Sequence, residues 1–149
     1  MFLGKGLRVV CIDIGTKVCG FAVSDEMGVI ATPVPPLKVG TGERLIERLA
    51  DYAMSFKPQK IVVGLPLMPD GSIGERAKSV MRLCEKLNAL VDVPVVLWDE
   101  AYSTEVAKEK LAHTKRPKKG FLDSAAAAVI LQDYLDRRGA DGRDCSQGS

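Results

Sequence analysis

The order of the apolar segments constrains the fold of this chain more than any other feature of its sequence. Three short apolar runs come first, separated by two tight turns, and they predict an antiparallel meander. The runs are Arg8 to Ile14, Val18 to Ser24 and Val29 to Pro33. We expect the third strand to end within Thr32-Pro33-Val34-Pro35-Pro36, because proline cannot donate to a strand ladder.

Helices and buried strands alternate through the rest of the chain. Apolar residues recur at helical spacing in four segments, which predict helices over about 42–56, 73–90, 103–113 and 122–138. Lys60 to Leu65 and Pro94 to Trp98 are apolar on both faces, as in buried parallel strands. The predicted fold is α/β and ribonuclease-H-like: a mixed five-stranded sheet, three antiparallel strands then two parallel, with helices on both faces.

Length and composition favour a single globular domain. The chain has 149 residues, and we expect one domain over residues 1–138 and a disordered polar tail over 139–149. The longest strongly apolar stretch, Ala125 to Leu131, is far shorter than the roughly 20 residues that span a bilayer. The four cysteines form no CxxC pair, so a structural zinc site is not expected.

Three acidic residues stand at the ends of predicted elements. Asp13 ends the first strand, Glu100 follows the last strand, and Asp123 lies in the first turn of the last helix. In open α/β sheets, ligands gather at the carboxyl ends of strands. Carboxylates converging there suit Mg²⁺ or Mn²⁺ and phosphodiester hydrolysis. Taken singly, the three acids are also compatible with a turn acid, a solvated loop acid and a helix-start acid.

Basic residues near these acids are candidate contacts to a nucleic-acid backbone. Net charge is only +2, so such binding has to come from local clusters. One cluster precedes Asp123 directly and contains Lys115, Arg116, Lys118 and Lys119. Lys17 follows Asp13, and Arg76 follows the glycine-containing segment 64–74, whose backbone amides are also candidate phosphate donors. The alternative is that the basic cluster and segment 64–74 are ordinary solvated loops.

Six segments, in order, resemble the YqgF/RuvX family, which is described as Holliday-junction-resolvase-like and linked to pre-16S rRNA processing. Together they cover nearly the whole chain apart from its tail. They are Asp13 to Lys17, Gly20 to Asp25, Val63 to Pro66 with Asp70 to Ser72, Asp99-Glu100 before Ser103-Thr104, Asp123 to Ala127, and Ile130 to Leu135.

The resemblance implies a ribonuclease-H-like fold and a cytoplasmic nuclease that uses Mg²⁺ or Mn²⁺. It places the catalytic and metal-binding roles on Asp13, Glu100 and Asp123. Family members usually carry an arginine after the Asp-Glu pair, where this chain has Ala101. Resolvases of the RuvC type carry a further acid one turn along the last helix, where this chain has Ala126.

The leading hypothesis is therefore a metal-dependent endonuclease that processes the 5′ end of pre-16S ribosomal RNA. Two alternatives remain open: a Holliday junction resolvase-like DNA endonuclease, and a catalytically weak nucleic-acid- or ribosome-binding protein. The expected partner is a structured RNA precursor or branched DNA. No sequence feature indicates a dimer interface, so we expect a monomer or a weak homodimer.

Overall fold

A computed structural model describes residues 7–40, 44–99, 121–137 and 143–144 of the chain, with the backbone alone at 121–123 and 143–144. These residues form one mixed sheet and three helices. The strands are β1 (Val9–Asp13), β2 (Val18–Ser24), β3 (Ala31–Lys38), β4 (Lys60–Leu65), β5 (Val95–Asp99) and β6 (Arg143–Asp144). The helices are α1 (Leu45–Ser55), α2 (Glu75–Leu90) and α3 (Phe121–Asp136).

The sheet has the order β3-β2-β1-β4-β5-β6, which puts β1 near its centre. β1 pairs antiparallel with β2 and parallel with β4, and β4 pairs parallel with β5. The predicted five-stranded mixed sheet is confirmed. β6 adds a two-residue antiparallel strand beside β5, within the segment predicted to be a disordered tail.

Helices cover both faces of the sheet, as predicted. On one face, Val10 and Ile12 belong to a core with α1 and α2. On the other, Val9 and Cys11 belong to a core with α3. Side chains alternate between the faces along a strand, so each residue of β1 can be assigned to one helical layer.

The third strand is longer than predicted. It runs through Pro33, Pro35 and Pro36 to Lys38, whereas the prolines were expected to end it. β3 pairs only with β2 among the described strands and lies at the sheet edge, where a missing N–H can face away from the ladder. The pairing register shifts at Pro35-Pro36, which form a β-bulge: Cys19 lies opposite Leu37, but Phe21 lies opposite Val34.

The helices match their predicted positions to within a few residues where the structure describes them. α2 begins at Glu75 rather than 73, and α3 ends at Asp136 rather than 138. Leu90, predicted to face inward at the end of α2, is 53% exposed. The helix predicted over 103–113 lies outside the described residues. None of the described helices is long and apolar enough to cross a membrane.

Candidate functional site

Asp13 is the last residue of the central strand, and its position favours a ligand role. Its side chain is half-buried, and the alternation from Val9 through Cys11 places it on the face covered by α3. Its partner on β2 is Gly20, which has no side chain. Gly20 is buried and places no side chain beside Asp13 on the α3 face.

The turn that follows Asp13 is tightly packed. A Cβ atom on Gly15 would meet the Val18 carbonyl oxygen far inside van der Waals contact, so only glycine fits this backbone. Lys17 is exposed in the same turn, and its carbonyl oxygen accepts a hydrogen bond of 2.9 Å from the Val39 N–H. The turn thus holds Lys17 at the carboxyl end of β1.

Arg76, in the first turn of α2, reaches back to the same end of β1. Its Nη2 donates a 2.6 Å hydrogen bond to the carbonyl oxygen of Ile14, the residue directly after Asp13. A guanidinium has five N–H donors, so this bond fixes the group and leaves several others for a ligand. Arg76 was predicted to contact phosphate, and the structure brings its guanidinium to the backbone directly after Asp13, from the side of α2.

The pKa of the buried Cys19 thiol depends on the charges at this end of the sheet. Burial is the largest influence and raises its pKa, while a backbone hydrogen bond with Gly15 lowers it. The Asp13 carboxylate raises this pKa further, and the Arg48 and Arg76 guanidiniums lower it. One carboxylate and two cations therefore lie close enough to act on the same group.

The beginning of α3 is anchored beside Asp13. Asp123 is the third residue of this helix, and its backbone lies in the first turn. The fully buried Ser124 accepts a 3.2 Å hydrogen bond from the Phe21 N–H and donates one of 2.5 Å to the Val34 carbonyl oxygen. Phe21 follows Gly20, the strand partner of Asp13. The backbone of Asp123 therefore lies next to the end of β1, on the same face of the sheet as Asp13.

Glu100 comes directly after the last described residue of β5. The register pairs Ile12 with Val63, and Gly64 with Trp98, so Trp98 is level with Asp13 across two strands. Trp98 packs in the core with α3. Glu100, with Lys115, Arg116, Lys118 and Lys119, lies outside the described residues. Within the described part of the chain, no three His, Cys, Asp or Glu side chains gather to hold a metal.

The segment between β4 and α2 uses its polar groups internally. Asp70 Oδ1 accepts hydrogen bonds from the Ser72 N–H (2.9 Å) and hydroxyl (2.6 Å), which lowers the pKa of its exposed carboxyl. The Gly71 N–H donates to the Met68 carbonyl oxygen at 2.7 Å, and the Met68 N–H donates to the Ser72 carbonyl oxygen at 2.9 Å. These bonded amides favour a structural loop over the phosphate-binding interpretation.

A cavity of about 740 Å³ lies between this loop and the end of β5. Its described lining combines apolar and polar groups, from Leu65, Leu67, Gly71, Ser72, Ile73, Leu97 and Asp99. Leu65 and Leu97 belong to the core with α1 and α2. The cavity is therefore on the opposite face of the sheet from Asp13.

Two polar residues at the end of the segment Gly20 to Asp25, Ser24 and Asp25, have structural roles. Buried Ser24 accepts a 2.8 Å hydrogen bond from the Val9 N–H and ties β2 to β1. Asp25 Oδ1 accepts hydrogen bonds from the N–H groups of Val29 (2.8 Å) and Ile30 (2.9 Å) in the turn to β3. These bonds lower the pKa of Asp25. Both residues stabilise the meander rather than the site.

Comparison with known proteins defines the family. A family model described as "RuvX: Holliday junction resolvase" matches residues 7–137. The chain belongs to the RuvX family. Proteins of Bacillus cytotoxicus and Bacillus cereus, each named "Putative pre-16S rRNA nuclease", are 36% identical over 137 residues, which is 89% of this chain and all of the relative.

Solved structures agree on the fold. RuvC of Thermus thermophilus superposes on the RuvX-family chain with a TM-score of 0.57 at 14% identity, covering 92% of this chain and 99% of RuvC. The fowlpox virus resolvase, solved with Holliday junction DNA, gives a TM-score of 0.59 at 11% identity, covering 89% and 99%. At these identities the likeness establishes the ribonuclease-H-like fold.

Proposed function

We propose that this protein is a metal-dependent endonuclease that processes the 5′ end of pre-16S ribosomal RNA. The observation that carries the proposal is the position of Asp13, half-buried at the end of the central strand on the face where α3 begins. Family membership and the names of the Bacillus relatives support the substrate. A single domain over residues 1–138 and a cytoplasmic location are part of the same proposal.

The groups at this end of the sheet fit a hard divalent cation. Mg²⁺ and Mn²⁺ prefer oxygen ligands, and Mg²⁺ sites retain several waters, so few protein carboxylates are needed. Asp13, Glu100 and Asp123 would hold the ion. When bound, it would polarise a phosphodiester and lower the pKa of a coordinated water. Ala126, one turn beyond Asp123, contributes no oxygen ligand.

The basic groups would position the nucleic-acid backbone. Arg76 is held by the Ile14 carbonyl oxygen, so its remaining N–H groups are available to a phosphate bound beside Asp13. Lys17 adds an exposed charge at the same edge. Lys115, Arg116, Lys118 and Lys119 precede α3 in the chain and would contact phosphates further along the strand. None of these groups reads base sequence, so specificity would come from the shape of the RNA.

Two other functions remain alternatives. The description of the family model favours a Holliday junction resolvase-like DNA endonuclease. Ala101, in place of the usual family arginine, favours a catalytically weak nucleic-acid- or ribosome-binding protein. The three functions differ in their substrates and in whether they require metal.

A cleavage assay on three substrates tests the proposal. The purified full-length protein is incubated with pre-16S 5′-leader RNA, an unstructured RNA of equal length and a four-way DNA junction, with Mg²⁺, Mn²⁺ or EDTA. We expect metal-dependent cuts in the leader RNA, and none in EDTA. Preferential cutting of the junction would establish the resolvase alternative instead. Binding of RNA without any cleavage would establish the binding protein.

A further inference from the structure

We propose that Ser124 is a positioning residue of the nuclease site, because its hydroxyl sets where α3 begins and hence where Asp123 lies relative to Asp13. This inference rests on the proposed function. Ser124 directly follows Asp123 and is fully buried. Its hydroxyl bridges the Phe21 N–H at 3.2 Å and the Val34 carbonyl oxygen at 2.5 Å, using both its acceptor and its donor capacity.

The β2–β3 bulge creates the place where this hydroxyl binds. Val34 and Leu37 of β3 are three residues apart, whereas their partners on β2, Phe21 and Cys19, are two residues apart. β3 therefore has one extra residue, at Pro35-Pro36. A bulge disrupts the ladder locally and leaves backbone groups open to other partners. The Ser124 hydroxyl contacts one group on each strand at this point. The start of α3 is therefore tied to the two strands together.

The two hydrogen bonds of the Ser124 hydroxyl lie next to the end of β1, where Asp13 is. The strand pair Asp13–Gly20 is adjacent to the pair Ile12–Phe21, and the Phe21 N–H is the group that Ser124 contacts. Without this bond, α3 would be held against the sheet by residues further along the helix, among them Ala127 and Ile130 in the core. A small shift of the first turn would move Asp123 away from Asp13 without unfolding the helix.

Ser24, on β2, provides a matched control. It is also buried, at 2% exposure, and its hydroxyl also accepts a backbone N–H bond, from Val9 at 2.8 Å. It lies at the other end of β2 from Gly20. Removing either hydroxyl leaves buried backbone groups without partners and should lower Tm by on the order of 5 °C. Of these two hydroxyls, only that of Ser124 is adjacent to the candidate metal site.

The experiment measures Mn²⁺ binding by isothermal titration calorimetry on the full-length protein without RNA. We expect Ser124→Ala to weaken Mn²⁺ binding about 10-fold, the low end of the range for outer-shell substitutions, because its hydroxyl bonds to the strand backbone and acts on Asp123 through the helix. Ser24→Ala should stay within about twofold of the wild type, because its effect is on stability alone. In cleavage assays, Ser124→Ala should lower kcat at saturating RNA and limiting metal while leaving KM for RNA unchanged.

The outcomes separate this inference from the proposed function. A wild type that neither binds Mn²⁺ nor cuts RNA would refute the function, whatever Ser124 does. A wild type that does both, with Ser124→Ala equal to it in Mn²⁺ affinity, would overturn the inference alone. Equal losses of affinity in Ser124→Ala and Ser24→Ala would also overturn it.

A second variant covers the case in which Ser124→Ala does not fold. Ser124→Cys keeps the branching of the side chain and fills the site with a somewhat larger sulfur atom, but replaces the hydroxyl by a much weaker hydrogen-bonding group. We expect it to weaken Mn²⁺ binding at least about threefold, in the same direction as alanine. Unchanged affinity in a folded Ser124→Cys protein would overturn the inference.

Discussion

Gly15 shows how a single residue supports the candidate site. Any Cβ at this position would collide with the Val18 carbonyl oxygen, so the turn after Asp13 has to move to accept a side chain. We expect Gly15→Ala to lower the free energy of unfolding by about 2 kcal/mol, measured by urea denaturation.

Gly71→Ala is the control for this prediction. Gly71 has a φ of +86°, but a Cβ there would meet nothing within 4 Å, so the cost is backbone strain alone, about 1 kcal/mol. The steric account of Gly15 is wrong if Gly15→Ala destabilises no more than Gly71→Ala.

Asp25 makes the stability of the β2–β3 turn depend on pH. Its folded pKa lies below the ordinary value of 3.8 because backbone N–H groups of the turn, first Ile30 and then Val29, bond to the carboxylate. A depressed folded pKa gives stability that is present above 3.8 and is lost as pH falls through the folded value.

The test compares urea unfolding of the wild type and Asp25→Asn. The variant should be less stable than the wild type at about pH 6, and the gap should shrink towards about pH 3. A gap that is constant over this range would show that the carboxylate charge is not the cause.

At the scale of elements, α3 depends on polar contacts at its far end as well as on Ser124. The indole N–H of Trp98 donates to Asp133 Oδ2 at 2.8 Å, and Trp98 is only 5% exposed. Asp133→Ala leaves this buried donor without an acceptor, which should cost about 1–3 kcal/mol in urea denaturation. It also removes the exposed ion pair of 3.1 Å between Asp133 Oδ1 and Arg137 Nε, which contributes less. Asp133→Asn keeps an oxygen acceptor and should recover most of the loss.

Asp136→Ala is the matched control on the same helix. Asp136 accepts only an exposed bond from the Gln132 side chain, at 3.1 Å, among the contacts described. Its removal should change stability by no more than about 0.5 kcal/mol. Similar losses for Asp133→Ala and Asp136→Ala would mean that the indole contact does not anchor α3.

The elements themselves were largely predictable, because apolar periodicity follows directly from burial on one or two faces. β2 and β4 have the bounds that the sequence indicates. The course of β3 was not predictable from Pro33, Pro35 and Pro36, because proline is tolerated at a sheet edge and the edge is a property of the strand order. Local sequence contains no information on which strand is outermost.

The candidate site was predictable only in part. The position of Asp13 at the end of a buried strand follows from its own segment. The role of Ser124 depends on a bulge 90 residues away in sequence, at Val34. In the local sequence, Ser124 is only a polar residue ahead of the alanine run from Ala125 to Ala128. A serine in that position also fits an exposed helix start.

At the scale of the whole molecule, a net charge of +2 is too small to hold RNA, so affinity should depend on the local basic cluster. We expect replacement of Lys115, Arg116, Lys118 and Lys119 by alanine to weaken RNA binding. The slope of log K against log salt should fall by about 0.7 for each phosphate that the variant no longer neutralises. An unchanged slope in a filter-binding titration would place the RNA on another surface.

The most direct test of the nuclease proposal is the single-turnover cleavage rate of Asp13→Asn on leader RNA with Mn²⁺. Removing the proposed central metal ligand should lower the rate at least about 100-fold, because a bound metal would supply several kcal/mol of charge stabilisation. Asp51→Asn makes the same chemical change at an exposed position of α1 and should leave the rate unchanged. Cleavage by Asp13→Asn at the wild-type rate would contradict the account.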